Sequence, residues 1–156
     1  METKEWIFED LKAELDPNGP WMSEPDKIQW LDKETGYPCI IRRSHGTGAL
    51  CGYVGVNKNH PFFEKDYDEF EEINVHGGLT HADFCQEGEP ERGICHVTKN
   101  HEKVWWFGFD CAHFGDLIPL GGSIFRLTNE AKKYRDVTFV RKQVSKLAHQ
   151  LKKVEK

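Results

Sequence analysis

The sequence predicts an α+β domain, with a mainly antiparallel sheet of about five strands packed against N- and C-terminal helices. Three observations lead there. Apolar residues spaced by three and four are confined to the two ends of the chain. Between Lys27 and Asp110, runs of strand formers are broken by short turns. The 156-residue length suits a single domain spanning 1–156.

Taken in order, the first element is a helix over about 3–15. Ile7, Leu11 and Leu15 recur every fourth residue, flanked by Trp6 and Phe8. Thr3 is placed to cap it, and Pro17 with Asn18-Gly19-Pro20 ends it. A sheet core follows over about 27–110. Its first strands are Ile28–Leu31, Tyr37–Arg43 and Ala49–Val56. The turns between them, Lys33-Glu34-Thr35-Gly36 and His45-Gly46-Thr47-Gly48, are short enough to impose an antiparallel meander. Residues 57–70 read as a loop. An acidic patch begins there: Glu64, Asp66, Asp68, Glu69, Glu71 and Glu72 surround Lys65. Ile73–His76 reads as a further strand ending at Gly77-Gly78, and residues 82–100 as a polar excursion. Lys103–Asp110 carries Val104, Trp105, Trp106, Phe107 and Phe109, bulky residues that pack well on a pleated surface.

The last helix, about 136–154, repeats Val137, Val140, Val144, Leu147, Leu151 and Val154 at spacings of three and four. Asp136 stands at its N-cap position, and Lys152, Lys153 and Lys156 complement its C-terminal dipole. Residues 130–156 hold nine Lys and Arg against three acids, so a net charge of -5 leaves the rest of the chain at -11. A basic helix laid on an acidic sheet body follows, its charges solvated.

Composition removes several classes. Charged residues make up 30% and aromatics 12%, which is not the composition of a disordered chain. No run of 18 apolar residues is present, so no membrane span is expected. Met1–Trp6 lacks the basic and apolar regions of a signal peptide. A net charge of -5 argues against an obligate nucleic-acid binder. Five cysteines, an odd number, with no secretion signal suit free thiols in a reducing cytoplasm, packed as small hydrophobes. No C-x-x-C occurs. Cys85, Cys95, Cys111 and His113 form a possible zinc set, but the gap between the first two exceeds that of a usual knuckle.

Candidate chemistry lies at the ends of two strands. His76-Gly77-Gly78-Leu79-Thr80-His81 combines a strand end with a glycine turn that lets the backbone bend sharply or approach a ligand. Asp110, His113 and Asp116 follow the aromatic strand at spacings of three, which one turn brings to a common side. If the two ends meet, His76, Asp110, His113 and Asp116 are candidates for catalysis. The same four offer a mixed metal site, although no complete ligand spacing is visible. His76, Gly77, Gly78, Thr80, His81, Trp105, Asp110 and His113 would line a ligand pocket. Plainer readings stand beside these: Asp110 as a cap on the next turn, and Trp105-Trp106 as a buried strand. Arg42 or Arg43 offers a fork for phosphate, with only one of the two on a given face. His60-Pro61 reads as a lid or a plain turn.

Several strings together resemble a family of small, mostly hypothetical bacteriophage and prophage proteins. They are Gly52-Tyr53-Val54-Gly55-Val56, His60-Pro61, Asp66-Tyr67-Asp68, Val75-His76-Gly77-Gly78-Leu79-Thr80, Trp105 to His113 with Gly115-Asp116, and Tyr134-Arg135-Asp136. The likeness runs from about Gly52 to Leu151. It implies a phage-encoded protein acting in a bacterial host cytoplasm, and it assigns no catalytic residue and no cofactor.

The expectation is a small-molecule binder, with a nucleotide-like ligand whose capture counters host defence signalling. The alternative is a hydrolase, metal-dependent or not, using the His/Asp cluster. A further alternative is an acidic inhibitor of a host protein, acting through Glu64–Glu72. Oligomeric state is left open.

Overall fold

The computed structural model describes residues 3–70, 72–85, 90–97, 103–120 and 132–155. Six strands form one antiparallel sheet: β1 (Lys4–Trp6), β2 (Lys27–Leu31), β3 (Pro38–Arg43), β4 (Leu50–Val56), β5 (His81–Phe84) and β6 (Trp105–Asp110). Their spatial order is β1-β2-β3-β4-β6-β5. The meander β2-β3-β4 and the aromatic strand β6 lie where their side-chain patterns put them. A short helix α1 (Glu9–Lys12) precedes β2, and a long helix α2 (Val137–Lys153) closes the chain. This is an α+β architecture. No helix among the described residues is long and apolar enough to cross a membrane.

One sheet face is apolar. Ile28, Trp30, Ile41, Val54, Phe107 and Phe109 point to α2 and meet Val140, Val144, Leu147, Ala148 and Leu151. Gly52 permits close approach, since a Cβ there would lie 2.6 Å from both Phe109 and Val144. Asp136 caps α2 by accepting from Phe139 N–H at 2.9 Å.

The opposite face is mixed. Ile40, Cys51, Tyr53 and Trp106 enclose Ile94, which arrives on the segment 90–97. Lys27, Gln29 and Arg42 project from the same face and grip that segment by its backbone. Lys27 Nζ donates to Pro90 O (2.5 Å) and Cys95 O (2.7 Å). Gln29 exchanges two hydrogen bonds with Val97 (2.7 and 3.1 Å), and Arg42 Nε donates to Arg92 O. Buried polar side chains thus supply the partners that a neighbouring strand supplies elsewhere.

Four expectations change. The helix over 3–15 is instead β1, an extended Phe8 and the single turn α1. Lys4–Trp6 pair with the edge of β2, and Phe8 N–H donates to the Asp26 carboxylate at 2.8 Å. A short isolated helix is marginal, so these longer-range bonds prevail. Ile73–His76 forms no ladder, and His76 already belongs to the turn. The amides of Asn74 and His76 instead donate to Gln150 and Gln143 of α2 (2.8 and 3.0 Å). The polar excursion begins with a strand, β5, on the free edge of β6. Finally, Cys85 and Cys95 form a disulfide, which removes both from the free thiols and from the zinc set. The end of β5 and the segment 90–97 return to the same sheet face and bring the two together. Cys39, Cys51 and Cys111 are free and buried, as small hydrophobes.

A second apolar cluster, Phe8, Leu11, Leu15 and Trp21, packs around a buried ionic network. Asp26 lies 3.0 Å from Lys12 Nζ and 2.7 Å from Arg43 Nε. Arg43 also donates to Gly48 O (2.9 Å) and Tyr134 Oη (3.0 Å) and pairs with Glu24 (3.2 Å). Tyr134 donates to Glu24 in turn.

Candidate functional site

Asp110 ends β6, and its carboxylate accepts from Ala112 N–H (3.0 Å) and from Thr80 Oγ1 (3.1 Å). The turn that follows is closed twice. Asp116 N–H donates to His113 O (2.9 Å), and His113 N–H donates to Asp116 Oδ2 (3.1 Å). The spacing of three between these residues therefore does bring them to one side. His113 Nε2 lies 3.0 Å from Asp110 Oδ1, out of line for a hydrogen bond.

Asp116 is 1% exposed. It receives His76 Nε2 at 2.9 and 3.0 Å and Arg135 Nε at 2.9 Å. Burial works to raise its carboxyl, but hydrogen bonds from His76 and Arg135 outweigh that and hold it below the ordinary carboxylate range. Arg135 is brought in by backbone bonds between Gly115, Leu117 and Lys133 (2.9 and 3.0 Å). Its guanidinium lies over the Phe139 ring, 4.8 Å from the centroid. The His76 ring meets Phe139 edge-on at 5.1 Å and His113 at 6.0 Å.

The glycine turn fits beneath His113. Gly77 and Gly78 have φ of 71° and 80°, in the left-handed region that glycine enters freely. A Cβ on Gly77 would sit 2.2 Å from the His113 ring. Gly77 is thus required twice, by conformation and by contact.

His76, Gly77, Thr80, Asp110, His113 and Asp116 therefore converge, with Gly78 completing the turn. Two predicted residues do not join them. His81 pairs opposite Gly108, on the sheet face away from α2, and meets Tyr53 edge-on at 5.4 Å. Its Nε2 is buried without a partner, and burial pushes its pKa down. Trp105 starts β6 and packs with Phe63 and Phe84, its Nε1 donating to Lys65 O at 2.9 Å. A six-residue strand puts it roughly 16 Å from Asp110.

The arginines predicted as phosphate forks are also engaged elsewhere: Arg42 on the 90–97 segment and Arg43 in the buried network. His60 is a structural residue. Its Nδ1 accepts from Phe62 N–H (2.9 Å), which leaves Nε2 to donate to Leu151 O (2.8 Å). In the acidic patch, Asp66 and Glu69 form a capping box around a short 3-10 turn, and Glu71 lies outside the described residues. Among the described residues no group of three or more His, Cys, Asp or Glu is arranged to hold a metal ion. Asp116 already spends both oxygens on His76, Arg135 and the His113 amide.

Sequence reasoning missed Arg135, Phe139 and Gln143 as members of the site. Tyr134-Arg135-Asp136 was the available signal, because an arginine one residue before a helix N-cap lies at an element end where strand ends also gather. It also missed a cavity of about 990 Å³ at the other end of the sheet, where β6 begins. Compared with family models, curated proteins and solved structures, the chain matches none.

Proposed function

We propose that the chain binds a small, nucleotide-like molecule at the His76/Asp110/His113/Asp116 cluster, in a bacterial cytoplasm and against host defence signalling. One observation carries the reading. Three segments distant in sequence, 75–80, 110–116 and 133–139, converge on one half-exposed polar network that the apolar core does not require. These segments hold much of the likeness to phage proteins. The network offers a donor on Arg135 and the imidazole of His113 beside acceptors on Asp110 and Thr80 Oγ1, whose hydrogen goes to Asp110, a mixture that suits the edge of a nucleobase. Phe114, on the same turn, is fully exposed, and an exposed ring suits stacking on a planar base.

Calorimetric titration with mononucleotides, dinucleotides and cyclic dinucleotides tests this. Binding by the native chain, weakened roughly tenfold or more by Phe114→Ala and by Arg135→Gln, is the expected result. Absence of binding across the panel overturns the proposal.

A second reading, hydrolysis, is favoured by the His76–Asp116 pair. Asp116 fixes one ring nitrogen, and no described group engages Nδ1, the arrangement of a general base with its orienter. In that case His76→Gln abolishes turnover of a bound nucleotide while binding persists. Sensitivity to a chelator separates a metal-dependent reaction from a metal-free one.

A further inference from the structure

The 990 Å³ cavity is remote from the His/Asp cluster. It opens where β3 and β6 begin and β4 and β5 end, and the segment 90–97 forms one wall. Its volume falls at the upper end of the roughly 300–1,000 Å³ common for small-molecule sites. Tyr37, Val56, Phe84, Val97, Val104 and Trp106 make the lining aromatic and apolar.

Among the described residues, two polar atoms of the lining side chains have no hydrogen-bond partner, and one of them is fully buried. Trp106 is 1% exposed, and its Nε1–H is buried without a hydrogen bond. A buried donor left unmade costs about 1–3 kcal/mol, so such atoms call for an explanation. His96 stands next to it, with ring centroids 5.4 Å apart. His96 Nε2 bonds the carbonyl of Cys39 at 2.9 Å, so this nitrogen carries the proton and Nδ1 keeps its lone pair. Burial favours this neutral ring. No described group engages Nδ1. The wall therefore shows one donor beside one acceptor.

The charges of the lining limit the ligand further. Lys103 supplies a positive charge, and Glu155 a negative one already engaged by Tyr37 Oη. Nothing in the lining resembles the clustered cations or helix N-terminus that hold a polyphosphate.

We infer that this cavity is a second binding site, for a planar, uncharged heteroaromatic molecule with adjacent N–H and C=O groups. The lactam edge accepts from Trp106 Nε1–H and donates to His96 Nδ1, and the ring lies among the aromatic walls. The site stands independently of the His/Asp cluster.

The five tryptophans give indole N–H signals in ¹⁵N-labelled protein. Trp106→Phe assigns one of them. Titration with 2-pyridone, uracil and nicotinamide should shift the Trp106 signal saturably, with toluene as the control lacking both polar groups. Affinity should fall roughly tenfold in Trp106→Phe, with the amide spectrum showing that the fold is kept. It should be unchanged in His76→Ala. If none of the three probes shifts the Trp106 signal saturably, or if His76→Ala removes binding and Trp106→Phe does not, the inference is overturned.

Discussion

The two faces of the sheet are covered by different physics. On the α2 face, five small or branched residues of the helix interdigitate with an apolar sheet surface, and the cover is itself a regular element. On the other face, the cover is the irregular segment 90–97. One apolar plug, Ile94, one disulfide, the buried side chains of Lys27 and Gln29 and the half-buried Arg42 hold it. The first mode is non-directional and tolerates small shifts. The second depends on single hydrogen bonds whose loss strands a buried polar group. Both candidate binding regions use irregular chain: the turn at 113–116 and the segment 90–97.

Substitutions sharpen this contrast. The largest effect is expected at the buried ionic network, where polar fixation is taken furthest. Asp26→Ala leaves Arg43 and Lys12 buried without their shared carboxylate, and should cost about 3–5 kcal/mol in urea unfolding. On the apolar face, Leu147→Ala should cost about 2–5 kcal/mol through lost burial and a residual cavity. If Leu147→Ala costs less than 1 kcal/mol, α2 is not the principal cover.

The disulfide comes next. Cys85→Ser with Cys95→Ser should lower stability by about 2–3 kcal/mol, given the short loop that is closed. Hydrogen exchange should accelerate over 90–97 and stay unchanged in α2. The same bond tests the cytoplasmic setting, because a reducing compartment opposes it. Intact mass after acid quenching of whole cells and alkylation of the unfolded chain should show all five cysteines alkylated if the chain works in a reducing cytoplasm. Two protected cysteines would instead indicate an oxidising compartment.

The smallest effect concerns Lys27. Desolvation, and then the neighbouring Arg42, bring its pKa from 10.5 to about 8. Between those values the unfolded chain holds the proton that the folded chain has lost. Stability should therefore rise as pH increases from about 8 to about 10.5, where the two states again bind equally. Lys27→Met should flatten that rise and cost about 1–2 kcal/mol at neutral pH, by stranding the carbonyls of Pro90 and Cys95. An unchanged pH slope in Lys27→Met would show that another group titrates there.

Periodicity alone revealed α2, the meander and β6, because each buries one regular stripe or face and repeats its pattern over several residues. Spacing also revealed that Asp110, His113 and Asp116 share a turn, since that is a local relation. The partners across the turn were harder. His76 was found as a strand end, yet no strand forms there, and glutamines of α2 take up its backbone instead. His81 and Trp105 were assigned to the cluster because nearness in sequence was read as nearness in space. One residue along a strand reverses the face, and five residues carry a side chain to the other end.

By itself, then, the sequence determined the elements whose stability comes from repeated local patterns: a basic C-terminal helix, a short-turned meander and an aromatic strand. Only the tertiary structure decided what depends on single long-range bonds. Pairing with β2 drew the N-terminus out of its helix, and the return of 90–97 over Lys27 and Gln29 brought Cys85 to Cys95. Such contacts join residues tens of positions apart through one donor and one acceptor each, and one polar residue carries no period from which its partner can be read.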